Sequence, residues 1–254
     1  MRTLAIANQK GGSGKTTTSV NLAAALGEKN RRVLLLDLDP QHSATAWYGV
    51  KNAGKGVLGL FVDGGKMLDF VQETGAPGVD LVPSSAWLVG VEKILAGEVG
   101  AETILRRHLE SLPRDRWDYV LMDCPPTLGI LTLNALAAAK ELLVPVEAHV
   151  MALSGLAQLL HTVEVVQERL NPELAVSGIL ACRVDGRTRH AREVVDRLRE
   201  RSGDLVYKTV IRENIRLAEC PSFGQPITQY DSRSPGAADY RALATEVMQQ
   251  ERRR

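Results

Sequence analysis

The chain has 254 residues, 44% hydrophobic and 24% charged, which excludes a disordered polymer and leaves room for one sizeable α/β domain or two small ones. Aromatic residues make up only 4%, so the core must be aliphatic, and a formal net charge of +1 excludes a uniformly basic surface. Three cysteines without C-x-x-C spacing and the lack of any apolar run near ~20 residues argue against a disulfide framework, a zinc site or a membrane span; the expectation is a soluble cytoplasmic protein without a signal peptide.

Residues 3–7 are short and apolar, a predicted strand, and they break directly into Lys10, Gly11, Gly12, Ser13, Gly14, Lys15, Thr16 and Thr17. Val20, Ala23, Ala24 and Leu26 then recur at helical spacing over 16–26, before Gly27. A strand that turns through glycines into a helix is built to hold phosphate. The glycines let backbone N–H groups turn inward, and the helix N-terminus adds partial positive charge. Lys15 is then placed to reach the β- and γ-phosphates, and the Thr16 hydroxyl to ligate Mg²⁺. The strict G-x-x-x-x-G-K-[ST] pattern needs glycine at position 9, where this chain has Gln9; it carries instead a lysine-preceded variant, K-G-G-x-G-K-T.

A second strand over 33–36 runs out through Asp37, Leu38, Asp39, Pro40 and Gln41. Asp39 lies past the strand end with its exit fixed by Pro40, a position facing Mg²⁺ or an attacking water, while Asp37 is the candidate to cap or orient the loop. The glycine-rich stretch 49–65 reads as loop. After a strand over 79–83 and a helix over 101–112, the run 119–122 ends in Asp123, Cys124, Pro125 and Pro126. That is the form of a Walker B element, with Asp123 holding the Mg²⁺ shell and the two prolines stiffening a candidate γ-phosphate sensor. Cys124 reads as a small buried residue.

Helices over 128–139, 155–170 and 189–201 alternate with strands over 142–146, 176–181 and 206–211. Such alternation implies an α/β fold: a doubly wound, mostly parallel sheet with helices on both faces, here as one domain over 1–254. Ligands of such sheets bind at the C-terminal strand edge, where all these motifs fall. Between residues 183 and 216 there are ten Arg/Lys against six Asp/Glu, so the rest of the chain is net negative. A local basic excess is the footprint of a localised anionic partner.

Taken together, Lys10–Thr17, Asp37–Gln41, Asp123–Pro126, Asp185-Gly186-Arg187-Thr188 and Asn214-Ile215-Arg216-Leu217-Ala218-Glu219 resemble the ParA/Soj family of DNA-partition ATPases. The segments Pro221-Ser222-Phe223-Gly224 and Ser234-Pro235-Gly236-Ala237 extend the match over nearly the whole chain. The family lies in the deviant Walker A group of P-loop ATPases, which also holds MinD and the nitrogenase iron protein. The resemblance implies ATP and Mg²⁺ as cofactors and slow intrinsic hydrolysis. Lys10 would reach the partner's phosphates in an ATP-sandwich homodimer, and Gly11 would stay small where the two loops nearly touch. Thr16, Asp39 and Asp123 would serve the metal, with Asp39 positioning the lytic water. Arg187 and Arg216 fall where the family contacts DNA, and Arg189 and Arg192 could extend that patch. The implied partners are non-specific double-stranded DNA and a ParB-like protein, with nucleoid localisation.

Two positions depart from the family pattern. Arg212 and Glu213 stand where a proline and an arginine are usual, with Arg212 expected to offset the repulsion of Glu213. Arg183 stands where a methionine is common in the adenine-side loop. A membrane-cycling ATPase of MinD type is the alternative, but it needs a C-terminal amphipathic anchor. Ala237, Tyr240, Leu243, Ala244, Val247 and Met248 in the last helix are expected to dock on the domain instead.

Overall fold

A computed structural model describes residues 1–149 and 152–251, with side chains from residue 155 onward in the second span. Strand β1 (Arg2–Ile6) leads through the glycine loop to α1 (Lys15–Gly27), followed by β2 (Val33–Asp37), α2 (Ser43–Trp47) and α3 (Gly56–Val62). Next come β3 (Gln72–Glu73), β4 (Val79–Val82), α4 (Val91–Ile94), α5 (Ile104–Glu110) and β5 (Tyr119–Asp123). The order continues with α6 (Ile130–Ala138), β6 (Glu141–Glu147), α7 (Ala152–Arg169), β7 (Ala175–Cys182) and α8 (Arg189–Ser202). Helices α9 (Ile215–Phe223), α10 (Ile227–Tyr230) and α11 (Pro235–Glu251) complete the described chain.

The strands form one seven-stranded sheet in the order β3-β4-β2-β5-β1-β6-β7, parallel except at the β3–β4 edge. Side chains alternate across it. Leu34 and Leu36 of β2 join α3, α5, α6 and α7 in one apolar layer, through Leu60, Leu105, Leu131 and Val163. Val33 and Leu35 join α1, α2, α9 and α11 in the other, through Leu22, Trp47, Leu217 and Leu243. The expected doubly wound architecture is therefore present, and both faces of the sheet are covered as a parallel sheet requires. Tyr240, Leu243, Ala244 and Val247 of α11 are all buried, so this helix spends its apolar face on the domain.

Strand β1 lies between β5 and β6, and the chain winds to β2 on one side and later to β6 and β7 on the other. The crevice of this switch point opens at the C-terminal end of β1, where the glycine loop begins.

Two local expectations change. Residues 206–211 do not form a strand: only isolated parallel bridges pair Ile179 with Val206 and Val184 with Arg212. Glu246 of α11 takes the amides of Lys208 and Thr209 at 2.8 and 3.0 Å, so these cannot bond to β7. Within the stretch 49–65, α3 forms because Val57, Leu60 and Phe61 sit at helical spacing and are buried.

Candidate nucleotide site and basic face

Gly12 and Gly14 adopt φ of +74° and +92°, the left-handed region in which a side chain is strained. A Cβ on Gly11 or Gly12 would meet nothing within 4 Å, so the loop faces open space. Gly14 caps α1 with no side-chain acceptor, leaving the first amides of the helix free to meet an anion. Lys15 Nζ lies over the loop and donates to the Lys10 carbonyl at 3.2 Å. Burial lowers the Lys15 pKa, while the negative charge of Asp123 opposes the shift.

Asp123 and Asp37 stand in register on neighbouring strands β5 and β2, beside this loop. Both carboxyls are pushed upward first by burial; the charge of Asp37 raises Asp123 further, and that of Asp39 raises both. Hydroxyls of Thr16 and Ser19 oppose the shift at Asp123, Ser19 Oγ donating to Oδ1 at 2.9 Å. Asp37 is occupied on both oxygens. Oδ2 accepts from the Thr45 amide and hydroxyl at 2.8 and 2.7 Å, and Oδ1 accepts from the Asp39 amide at 3.2 Å. Asp37 is thus the loop-orienting residue of the pair. Asp39, only 8% exposed, accepts from the Gln41 amide at 2.9 Å through Oδ1.

Two buried side-chain oxygens at this edge, Ser13 Oγ and Asp123 Oδ2, have no hydrogen-bond partner among the described residues. Buried orphans of this kind cost free energy unless a ligand or water meets them. A hydroxyl at Thr16 beside the Asp123 carboxylate suits Mg²⁺, which takes few protein oxygens and keeps phosphate and water as its other ligands. The residues present therefore fit a Mg²⁺–nucleoside phosphate.

Lys10 is held differently from Lys15. Its Nζ pairs with Glu147 Oε2 at 3.1 Å, and Glu147 Oε1 pairs with Arg183 Nη1 at 3.2 Å. Arg183, at φ +53°, thus serves as a second cation for Glu147. Glu147 escapes sequence reading because it lies in no motif, only at the end of β6. Ser84 escapes for the same reason: its hydroxyl donates to the Asp39 carbonyl and its amide to Thr45 Oγ1, both at 2.8 Å. Cys124, Cys182 and Cys220 are all buried, and burial raises each thiol, Cys182 to about 12 and Cys220 to about 11.

On the basic face, Val184 N donates to the Ile211 carbonyl at 3.0 Å and Glu213 N to the Val184 carbonyl at 3.2 Å. These bonds bring the Arg187 loop against the segment leading to Arg216. Arg187 is paired with Asp185 at 2.9 Å, Arg189 with Glu193 at 2.9 Å and Arg216 with Glu219 at 2.9 Å, all at exposed arginines. Arg192 donates to the Thr188 carbonyl at 3.5 Å. Arg212 does not take the role expected of it. It grips Asp239 of α11 at 2.6 Å with several donors, and so is committed to packing rather than to offsetting Glu213.

Fold and site together define a P-loop nucleotide-binding protein with the lysine-preceded loop. Residues 1–176 match the family model described as an AAA domain. The sporulation initiation inhibitor protein Soj of Bacillus subtilis is 44% identical over 246 residues, covering 96% of this chain and 97% of Soj. The chromosome-partitioning ATPase Soj of Thermus thermophilus is 50% identical over 248 residues, covering 98% and 96%. Cobyrinic acid a,c-diamide synthase of Mycobacterium smegmatis, solved with bound ADP and magnesium, superposes with a TM-score of 0.87 at 35% identity, covering 99% of this chain and 96% of that one. The chain belongs to the ParA/Soj family of partition ATPases. No described helix is long and apolar enough to cross a membrane.

Proposed function

We propose that this chain is a Mg²⁺-dependent ATPase that partitions a chromosome or plasmid, working as a single domain that dimerises on ATP and then holds non-specific DNA. The orphaned Ser13 Oγ and Asp123 Oδ2, facing one glycine loop at the switch point, are the observation that carries the nucleotide part of this reading. The names of the relatives carry the partition part: Soj of Thermus thermophilus is a chromosome-partitioning ATPase.

In this reading the loop amides from Gly11 to Thr17 cradle the phosphates and Lys15 swings from the Lys10 carbonyl onto the β- and γ-oxygens. When bound, Mg²⁺ would supply positive charge against the phosphates. Thr16 and Asp123 hold its shell. Asp39 accepts from the lytic water and orients it, its own loop being fixed by Asp37 and Ser84. Lys10 leaves Glu147 and completes the pocket of a second subunit. Little covalent chemistry is left for the protein, so turnover is slow until a ParB-like partner stimulates it.

Arg187, Arg189 and Arg216 exchange their carboxylate partners for DNA phosphates. Ion pairs this exposed are weakened by solvent screening, so the exchange costs little. Contacts of this kind are blind to sequence and sensitive to salt. The protein would then act in the cytoplasm, on the nucleoid. Duplex binding measured with Mg-ATP, ADP and no nucleotide across a salt series tests the whole reading. Binding is expected only with Mg-ATP and should fall linearly on a log–log salt plot; equal binding in all three states would overturn it.

A further inference from the structure

The helix that carries Arg216 is tied to the nucleotide edge by two separate hydrogen bonds. Trp47, at the end of α2 and only 5% exposed, donates from Nε1 to the Gln225 carbonyl at 2.9 Å. Gln225 follows directly on α9. Gly224, which closes that helix at φ +65°, lies in van der Waals contact with the segment after Trp47: a Cβ there would lie 3.8 Å from the Trp47 carbonyl oxygen and from the Gly49 Cα. From the other side Asn21 of α1 accepts from the Ile227 amide at 2.7 Å and donates to the Thr17 carbonyl, also at 2.7 Å. Residues 224–227 are therefore held by α1, which begins in the phosphate loop, and by α2.

Helix α2 is itself anchored to Asp37 through the Thr45 amide and hydroxyl, and the other oxygen of Asp37 holds the Asp39 amide. A shift of the Asp39 loop on meeting a γ-phosphate thus passes through one carboxylate into α2. An indole N–H can only donate, and leaving it unpaired in a buried site is costly. If α2 moves, the Gln225 carbonyl is drawn with it.

We propose that Trp47 is a positioning residue through which the nucleotide state sets the pose of α9, and with it Arg216, towards DNA. The inference rests on the DNA-binding reading above, and it adds a change within each subunit to the doubling of contacts that dimerisation brings.

Trp47→Phe keeps an aromatic ring and removes the donor. The variant should still dimerise with a non-hydrolysable ATP analogue by light scattering. Its gain in duplex affinity on going from ADP to the ATP analogue should shrink by about fivefold per subunit, the worth of one hydrogen bond. A gain equal to the native one overturns the proposal, because a merely structural role would lower both affinities together. A second measurement uses the unmodified sequence labelled with 5-fluorotryptophan, its resonances assigned by elimination with Trp87→Phe and Trp117→Phe. The Trp47 fluorine signal should shift when Mg²⁺ and the analogue bind without DNA; a signal that stays in place while nucleotide binds overturns the link. If native protein holds DNA equally with ATP and ADP, the DNA reading fails, and the fluorine shift alone then decides whether α2 and α9 are coupled.

Discussion

Lys10 and Lys15 share one loop, but their surroundings assign them different work. Lys15 is buried over the loop and, among the described residues, has a backbone carbonyl as its one hydrogen-bond partner, so it can turn to phosphate. Lys15→Ala should therefore abolish ATP binding in calorimetry, whereas native affinity would remove Lys15 from the site. Lys10 is paired with Glu147. Lys10→Ala is expected to bind nucleotide within about twofold of native yet scatter light as a monomer with ATP, a dimer being the contrary result. The motif residues themselves were legible, since phosphate chemistry restricts a loop to few residue types. Glu147 and Ser84 were not, because a single carboxylate or hydroxyl at a strand end carries no pattern until the sheet places it.

At the level of elements, the strong apolar periods were readable and the weak ones were not. The predicted helices over 16–26 and 189–201 match α1 and α8 closely: α8 has regular buried positions and stops at Gly203, while α1 is buried from Thr18 onward and takes in Gly27 as its last residue. Helix α3 was hidden by its flanking glycines, though Val57, Leu60 and Phe61 give the signal in retrospect. Leu60 is 1% exposed in the layer beneath the Asp39 side of the sheet. Leu60→Ala should lower unfolding free energy by about 2–5 kcal/mol in a denaturant titration; a loss well under 1 kcal/mol would mean that α3 is not part of the cooperative core. Residues 206–211 have strand-like composition, but competition from Glu246 for two of their amides appears only in three dimensions. Strand β3 is two residues at an edge, too short for any alternation to register.

Across the whole molecule, function depends on surfaces that no single element contains. The sheet order brings the phosphate loop, Asp39 and Asp123 to one edge; that these motifs share the C-terminal strand edge was readable from the alternation of strands and helices, the order itself was not. The basic face was only partly so: the count of arginines showed an excess, but not that Arg212 is spent on Asp239. Arg216→Glu should leave ATP-driven dimerisation intact and cut duplex retention in a gel shift by tenfold or more, the order expected when a phosphate contact is reversed in sign at both sites of a dimer. Retention at the native level would take Arg216 off the surface.

Each of the three arginines proposed for DNA carries its own carboxylate within four residues. At these three positions every phosphate taken must therefore displace an incumbent. Small gains per contact make a lone subunit a poor tether, one that skims along nucleic acid and leaves quickly. Only when several contacts act at once does residence become long, so the lifetime on DNA should rise steeply, not in proportion, with the number of subunits joined.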